Sequence, residues 1–309
     1  MSAFVLAHLS DPHLSIGQKP MMRDLLGKRA LGYLNWSRNR RKAQHGIVLD
    51  LLIEDMQRQN PDHIAVTGDL INLSLVEEFA PAREWLKSVG DAQQVSLVPG
   101  NHDAYIRATR HHFQREWADY MRGDDDPEIG VASFPYLRRR GPLALIGVST
   151  AVPTPPLMAT GHLGPRQLEA LDRLLSELGK AGLCRVLLIH HPLRSFADRW
   201  QKRLTDAPAL LDILRRHGVE LVLHGHDHRH SIMWFDGPTR PFPAVGVPSA
   251  SAGLNSHRDP AAYNLFFITN DGGWKIEMAT RGLQRGESTI EGAEPAIRQL
   301  RAKTLLQPD

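Results

Sequence analysis

Five short segments of this chain combine metal-binding residue types with residues that turn the backbone. They are Asp11-Pro12-His13, Gly68-Asp69, Gly100-Asn101-His102-Asp103, His190-His191-Pro192 and Gly225-His226-Asp227-His228. Carboxylate, imidazole and amide oxygen form a mixed donor set that suits Mn, Fe, Zn or Co, and not Ca or a thiolate-seeking metal. In extended chain, residues i and i+2 point the same way. Asp11 and His13 would then grip one ion, and His226 and His228 one ion or a close pair. The glycines before Asp69, Asn101 and His226 permit sharp turns and close backbone approach. Asp-x-His or Gly-Asp alone is a common loop feature. Gly-Asn-His-Asp, and Gly-His-x-His after an apolar run, are far more specific.

Each segment closes an apolar run. Residues 4–9, 63–67, 95–98, 143–148, 185–189 and 220–223 read as buried strands, and 47–59, 76–87, 105–121, 165–178 and 207–217 carry the three-and-four spacing of helices. Such alternation predicts an α/β fold, in which ligands bind just beyond the carboxyl ends of strands. Five segments placed there imply one convergent site. After Gly225 the pattern changes to strand-like runs at 231–235, 242–247, 264–269 and 274–279, so a second, mostly antiparallel sheet is expected. The predicted architecture is a four-layer α/β/β/α sandwich of two mixed β-sheets flanked by helices. One domain should span 1–285, with a basic cap insertion at about 17–45. A polar C-terminal tail, 286–309, should carry a short helix near 295–306.

Composition narrows the class. The 309 residues are 42% hydrophobic and 23% charged, as in ordinary soluble domains with a sizeable core. A net charge of +3 gives no basis for specific nucleic-acid binding. The single cysteine, Cys184, opens an apolar run and reads as a buried small hydrophobe; it excludes an internal disulfide and a thiolate zinc site. No apolar stretch nears the ~18 residues of a membrane span, and the N-terminus reads as a strand with no basic leader, so a cytoplasmic protein is expected. Gly27-Lys28 lacks the glycine spacing and the Ser or Thr of a phosphate-binding loop.

The ordered series Asp11-x-His13, Gly68-Asp69, Gly100-Asn101-His102-Asp103, His190 and Gly225-His226-x-His228 resembles the calcineurin-like metallophosphoesterases, and within them the cyclic-nucleotide phosphodiesterase and glycerophosphodiesterase branch. The resemblance spans about residues 4–270. It implies two divalent transition-metal ions. Asp11, His13 and His228 would hold the first, Asn101, His190 and His226 the second, and Asp69 would bridge both. His190 is preferred to His191 because the family uses the histidine directly after the strand. His102 would act on the scissile phosphate and Asp103 would orient His102. The expected reaction is phosphodiester hydrolysis, a metal-bridging hydroxide attacking phosphorus in line. An alternative is a pyrophosphate hydrolase resembling the UDP-diacylglucosamine hydrolases, which share the metal site. A non-catalytic scaffold is disfavoured because every ligand type and His102 are in place.

The remaining histidines are read structurally. His8 belongs to the core, His63, His111, His112 and His217 serve packing or surface roles, and His224 supports the metal segment. Asp124-Asp125-Asp126 reads as a solvated loop. Residues 23–42 are the most distinctive stretch: Arg23, Lys28, Arg29, Arg38, Arg40, Arg41 and Lys42 are interleaved with Leu25, Leu26, Tyr33 and Trp36. A packed helical cap with solvated cations explains the pattern. So would peripheral contact with anionic lipid at the inner membrane face, or binding of nucleotide phosphates. Arg194, Arg199, Lys202 and Arg203 form a second basic stretch within reach of a substrate phosphate, and the 246–251 loop is expected to approach the site. The expected partner is a small phosphodiester or nucleotide-type substrate.

Overall fold

A computed structural model describes residues 2–16, 25, 28–35, 46–109, 111–127, 130–194, 200–284 and 296–308. Most of the basic stretch 23–42 lies outside the described residues. Two six-stranded mixed sheets are flanked by helices, as the pattern predicts. The first sheet is built on parallel β1 (Phe4–Leu9), β2 (His63–Val66) and β3 (Val95–Leu97). The second contains β4 (Tyr136–Arg140), β5 (Leu143–Gly147), β6 (Cys184–Leu188) and β7 (Leu221–His224), of which β5, β6 and β7 run parallel.

The central strands are buried and mostly apolar because both faces are covered. In β5, Leu143 and Leu145 enter the core shared with the first sheet, while Ala144 and Ile146 face helices α5 (Pro165–Leu178) and α6 (Ala207–His217). Helices α2 (Gly46–Arg58) and α3 (Val76–Val89) bring Leu52, Met56, Phe79 and Leu86 to the first core. Cys184 is fully buried, as expected.

Four expectations are corrected. The strands after Gly225 do not form a sheet of their own. β8 (Ser231–Phe235) and β9 (Phe242–Gly246) complete the second sheet, ordered β4-β5-β6-β7-β9-β8. β10 (Ala262–Asn270) and β11 (Trp274–Leu283) extend the first from β1. Residues expected as a tail helix form β12 (Ile297–Leu306), antiparallel to β11 on the edge of that sheet, where the backbone ladder outweighs a helix-like spacing of leucines. The helix expected over 105–121 shrinks to α4 (His112–Glu116) and a 3₁₀ turn at Ala118–Tyr120; upstream, Thr109 Oγ1 donates to Ser74 O at 2.9 Å and holds the chain in turns. The acidic run is not merely solvated. Asp124 accepts bonds from Arg139 N (2.6 Å) and Arg140 Nη1 (2.8 Å), and Asp126 caps Gly123 N at 2.7 Å. No helix among the described residues is long and apolar enough to cross a membrane.

Candidate metal centre

All five segments meet at the carboxyl ends of β1, β2, β3, β6 and β7. Ligand atoms of Asp11, His13 and His228 lie within 4.8 Å of one another, and so do those of Asp69, His190 and His226. In the first group His228 Nε2 is 2.9 Å from Asp11 Oδ1 and 3.2 Å from His13 Nε2. In the second, His190 Nε2 is 3.4 Å from Asp69 Oδ2 and 3.3 Å from Asn101 Oδ1. Asp69 Oδ2 also stands 3.8 Å from His13 Nε2, which places one carboxylate between the two groups. Ligands bound about 2 Å from a common transition metal are separated by roughly 3–4 Å. These distances fit that spacing without rearrangement.

The convergence is not achieved by strand alternation. Asp11, His13, Asp69, His226 and His228 all have positive φ, between 43° and 68°. Left-handed backbone is uncommon outside glycine and marks sites where surrounding structure imposes strain. The expected extended Asp-x-His and His-x-His grips are therefore replaced by tight left-handed turns. Gly68, at φ 91°, has a second constraint: a Cβ there would lie 2.5 Å from Gly100 N. A Cβ on Gly225 would overlap Ser10 Oγ and Asp11 Oδ2.

Hydrogen bonds fix which imidazole nitrogen faces inward. His190 Nδ1 donates to Thr67 O (2.6 Å) and His13 Nδ1 to Ile71 O (3.3 Å), directing both Nε2 atoms to the centre. His226 Nε2 donates to Lys202 O at 3.1 Å, which leaves Nδ1 as its ligand atom. Burial would raise the Asp69 carboxyl, but His190, His102 and His13 hold it well below the usual carboxylate range. Burial likewise opposes ionisation of Asp11, and His228 and His190 outweigh it. Burial, then His191 and His190, push His226 far down, so it is an unprotonated donor. Burial lowers His190, while Asp69 more than reverses this, to about 9. The pocket attracts positive charge, as a cation site must.

The sequence of residues 4–230 matches the family model for calcineurin-like phosphoesterases. The chain belongs to that family. Among solved structures, a dimetal phosphatase from Danio rerio is 13% identical, with 99% of each chain covered and a TM-score of 0.60. A purple acid phosphatase from yellow lupin (Lupinus luteus) seeds is 11% identical, with 96% of this chain and 53% of that chain covered and a TM-score of 0.55. At such identities the likeness concerns the fold. No curated protein matches in sequence. Membership implies metal-dependent phosphoester hydrolysis at a dinuclear centre, and the two donor groups fit two divalent ions.

In this phosphoesterase, His102 stands apart from the donor groups. Its ring is 5.0 Å from that of His13, its backbone N–H donates to Asp69 Oδ1 (2.7 Å), and its Nδ1 donates to Asn72 O (2.6 Å). Asp103 does not orient it. The fully buried Asp103 carboxylate accepts N–H groups from Gly100 (2.7 Å), Asp69 (2.9 Å), Leu70 (2.9 Å) and Ile71 (3.3 Å), so it ties the Asp69 and Asn101 turns together. The neighbouring His191 uses both nitrogens structurally, Nδ1 with Thr150 Oγ1 at 2.7 Å and Nε2 with Ala159 O at 3.1 Å.

Sequence reasoning missed Asn72 and Glu78. Glu78, in the first turn of α3, accepts N–H groups from Asn72 (2.9 Å), Leu73 (3.1 Å) and Leu75 (2.8 Å), shaping the loop whose Asn72 carbonyl orients His102. A carboxylate three residues into an amphipathic helix is the usable signal. The 246–251 loop does reach the site: Ser249 Oγ donates to Asp11 O at 2.6 Å. In the second basic stretch, Arg194 lies over Phe235 and Arg203 over Trp200, while Arg199 is outside the described residues. His8 and His63 are buried core residues, and His111 and His217 pair with Gln114 and Asp172.

Proposed function

We propose that the chain hydrolyses a small phosphodiester or nucleotide-type substrate, with Asp11, His13 and His228 holding one ion, Asn101, His190 and His226 the other, and Asp69 shared. Bound there, two divalent ions supply an activated water and Lewis-acid neutralisation of phosphate oxygens. The observation that carries the reading is the placement of Asp69 Oδ2 between the two donor groups, with His102 clamped beside it. Because His102 Nδ1 donates to Asn72 O, Nε2 is the nitrogen that exchanges a proton with substrate. Protonated there, it stabilises charge on a phosphate oxygen or protonates the departing alkoxide, the step that a diester with a poor leaving group needs most.

The test is metal-stripped protein reloaded with Mn, Fe, Zn or Co and assayed on bis(4-nitrophenyl) phosphate and 4-nitrophenyl phosphate. The diester should be the better substrate; faster monoester cleavage would overturn the diesterase reading and leave the hydrolase intact. His102→Ala should keep two ions per chain and lose about 100-fold or more in kcat. Full turnover in that variant would refute its role.

A further inference from the structure

Away from the metal centre, the first sheet carries a row of polar side chains between the two sheets. Asn264 on β10, Thr280 on β11 and Arg301 on β12 are direct partners across three adjacent antiparallel strands, so their side chains stand together on one face. Two residues along β10, on the same face, Phe266 is fully buried in the apolar core. The polar row, with Met278 and Lys303, forms one wall of a cleft of about 550 Å³, and Ile232 on β8 and Val245 on β9 belong to the other wall. A space of this size accommodates a small organic molecule. None of the proposed metal donors lines it.

Asn264 is 1% exposed. Its Oδ1 accepts a hydrogen bond from Thr280 Oγ1 at 2.8 Å, and its Nδ2 has no acceptor among the described residues. A buried amide with unmet N–H groups costs free energy that leucine in the same space would not. An acceptor entering the cleft would meet them. Arg301, exposed at the mouth, sets the charge of that acceptor as negative. It stands two strand spacings from Asn264, about 9–10 Å between backbones, which an arginine side chain closing on a shared head group can bridge. The guanidinium fork and the amide NH₂ both suit the planar pair of oxygens of a carboxylate. Met278, Ile232 and Val245 present hydrocarbon beside them, so an anion with an aliphatic tail uses both kinds of surface.

We propose that this cleft binds a small organic carboxylate with an aliphatic tail. Asn264 Nδ2 and the Arg301 guanidinium hold the head group, Lys303 adds positive charge, and the tail lies between Met278, Ile232 and Val245. The site is independent of the reaction at the metal centre, and turnover there does not enter its test.

The experiment is calorimetric titration of full-length, Mn-loaded wild type, Asn264→Leu and Arg301→Gln with octanoate, octan-1-ol and inorganic phosphate. Octanoate should bind wild type saturably, at least about tenfold more tightly than octan-1-ol, as expected for a charge-assisted head contact. Asn264→Leu and Arg301→Gln should each weaken octanoate binding at least about tenfold. Should Asn264→Leu fail to fold, Arg301→Gln, at an exposed position, decides alone. Absence of saturable octanoate binding overturns the proposal and leaves a hydrated cleft. Equal affinity for octan-1-ol overturns it in favour of a merely apolar cleft. Displacement of octanoate by inorganic phosphate at similar concentrations overturns the carboxylate class. Octanoate binding that survives both substitutions unchanged lies elsewhere on the protein and refutes the site.

Discussion

Replacing Asp103 by asparagine separates two roles that a motif cannot distinguish. Asp103 Oδ2 accepts from Gly100 N and Asp69 N, and Oδ1 from Leu70 N and Ile71 N. Asparagine offers one oxygen and one NH₂, so in either orientation two buried N–H groups face a donor. The gentler orientation keeps the bonds at 2.7 Å and 2.9 Å from Gly100 and Asp69 and abandons those at 2.9 Å and 3.3 Å from Leu70 and Ile71. Unsatisfied buried donors cost about 1–3 kcal/mol each, or roughly 2–6 kcal/mol together. Part is returned, because burial and the Asp69 charge already work against this carboxylate and raise its carboxyl, against which the four N–H groups hold it ionised. A net loss of about 2–3 kcal/mol is expected. Urea unfolding of chelator-treated wild type and Asp103→Asn measures it without contribution from bound metal. Metal analysis of reloaded protein should also show weaker retention, since the Asp69 and Asn101 turns share this one anchor. An unchanged urea midpoint with full metal content and a kcat reduced tenfold would refute the reasoning and return Asp103 to a role exerted through His102.

Three other perturbations follow from buried groups. Arg138, on β4, donates to the carbonyls of Arg122 (2.6 Å), Ala92 (2.7 Å), Val95 (2.6 Å) and Asp119 (2.6 Å); Arg138→Lys loses this fork and should cost about 2–4 kcal/mol, and a loss under about 1 kcal/mol in urea unfolding would contradict it. Burial, then Arg138 and Arg140, hold His63 down to about 3. Since that lies below its unfolded value of about 6.5, its contribution to stability is complete above pH ~6.5 and is lost as pH falls toward 3, at about 1.4 kcal/mol per unit. Between pH 6 and 4 the stability of His63→Gln should therefore fall less steeply than that of wild type; parallel curves would exclude the effect. Gly68→Ala should impair metal retention, because both φ and the Gly100 backbone oppose a side chain; two ions per chain at wild-type activity would show that the turn can relax.

The fold was legible where a strand is buried on both faces. β5 is apolar throughout and β6 and β7 nearly so, with Arg185 near the start of one and His224 at the end of the other, and such near-continuous runs between amphipathic helices are the mark of a sheet covered on both faces. It was illegible where tertiary partners override local pattern. β4 carries three successive arginines, yet Arg138 is 2% exposed because four carbonyls receive it. The sheet that a late strand joins depends on pairing, and nothing within β9 or β10 says that one lies beside β7 and the other beside β1.

The site divides along the same line. Donor types are side-chain facts, so the five segments stand out in the sequence; the set Asp11, His13, Asp69, Asn101, His190, His226 and His228 is what the family resemblance implies, and the structure brings these residues together. What aims those donors is mostly backbone: Thr67 O for His190, Ile71 O for His13, Asn72 O for His102 and Lys202 O for His226. A carbonyl carries no residue signature, so the motif points to Asp103, its nearest acidic side chain, for the task that belongs to Asn72 O. The left-handed turns have the same origin. Alternation along an extended strand places neighbouring donors about 6–7 Å apart, too far for one ion. Positive φ at Asp11, His13, His226 and His228 tightens them to bonding range, and glycine could not replace these residues without losing the ligand itself. The strain falls on the metal-binding residues because there the side chain and the turn are both required.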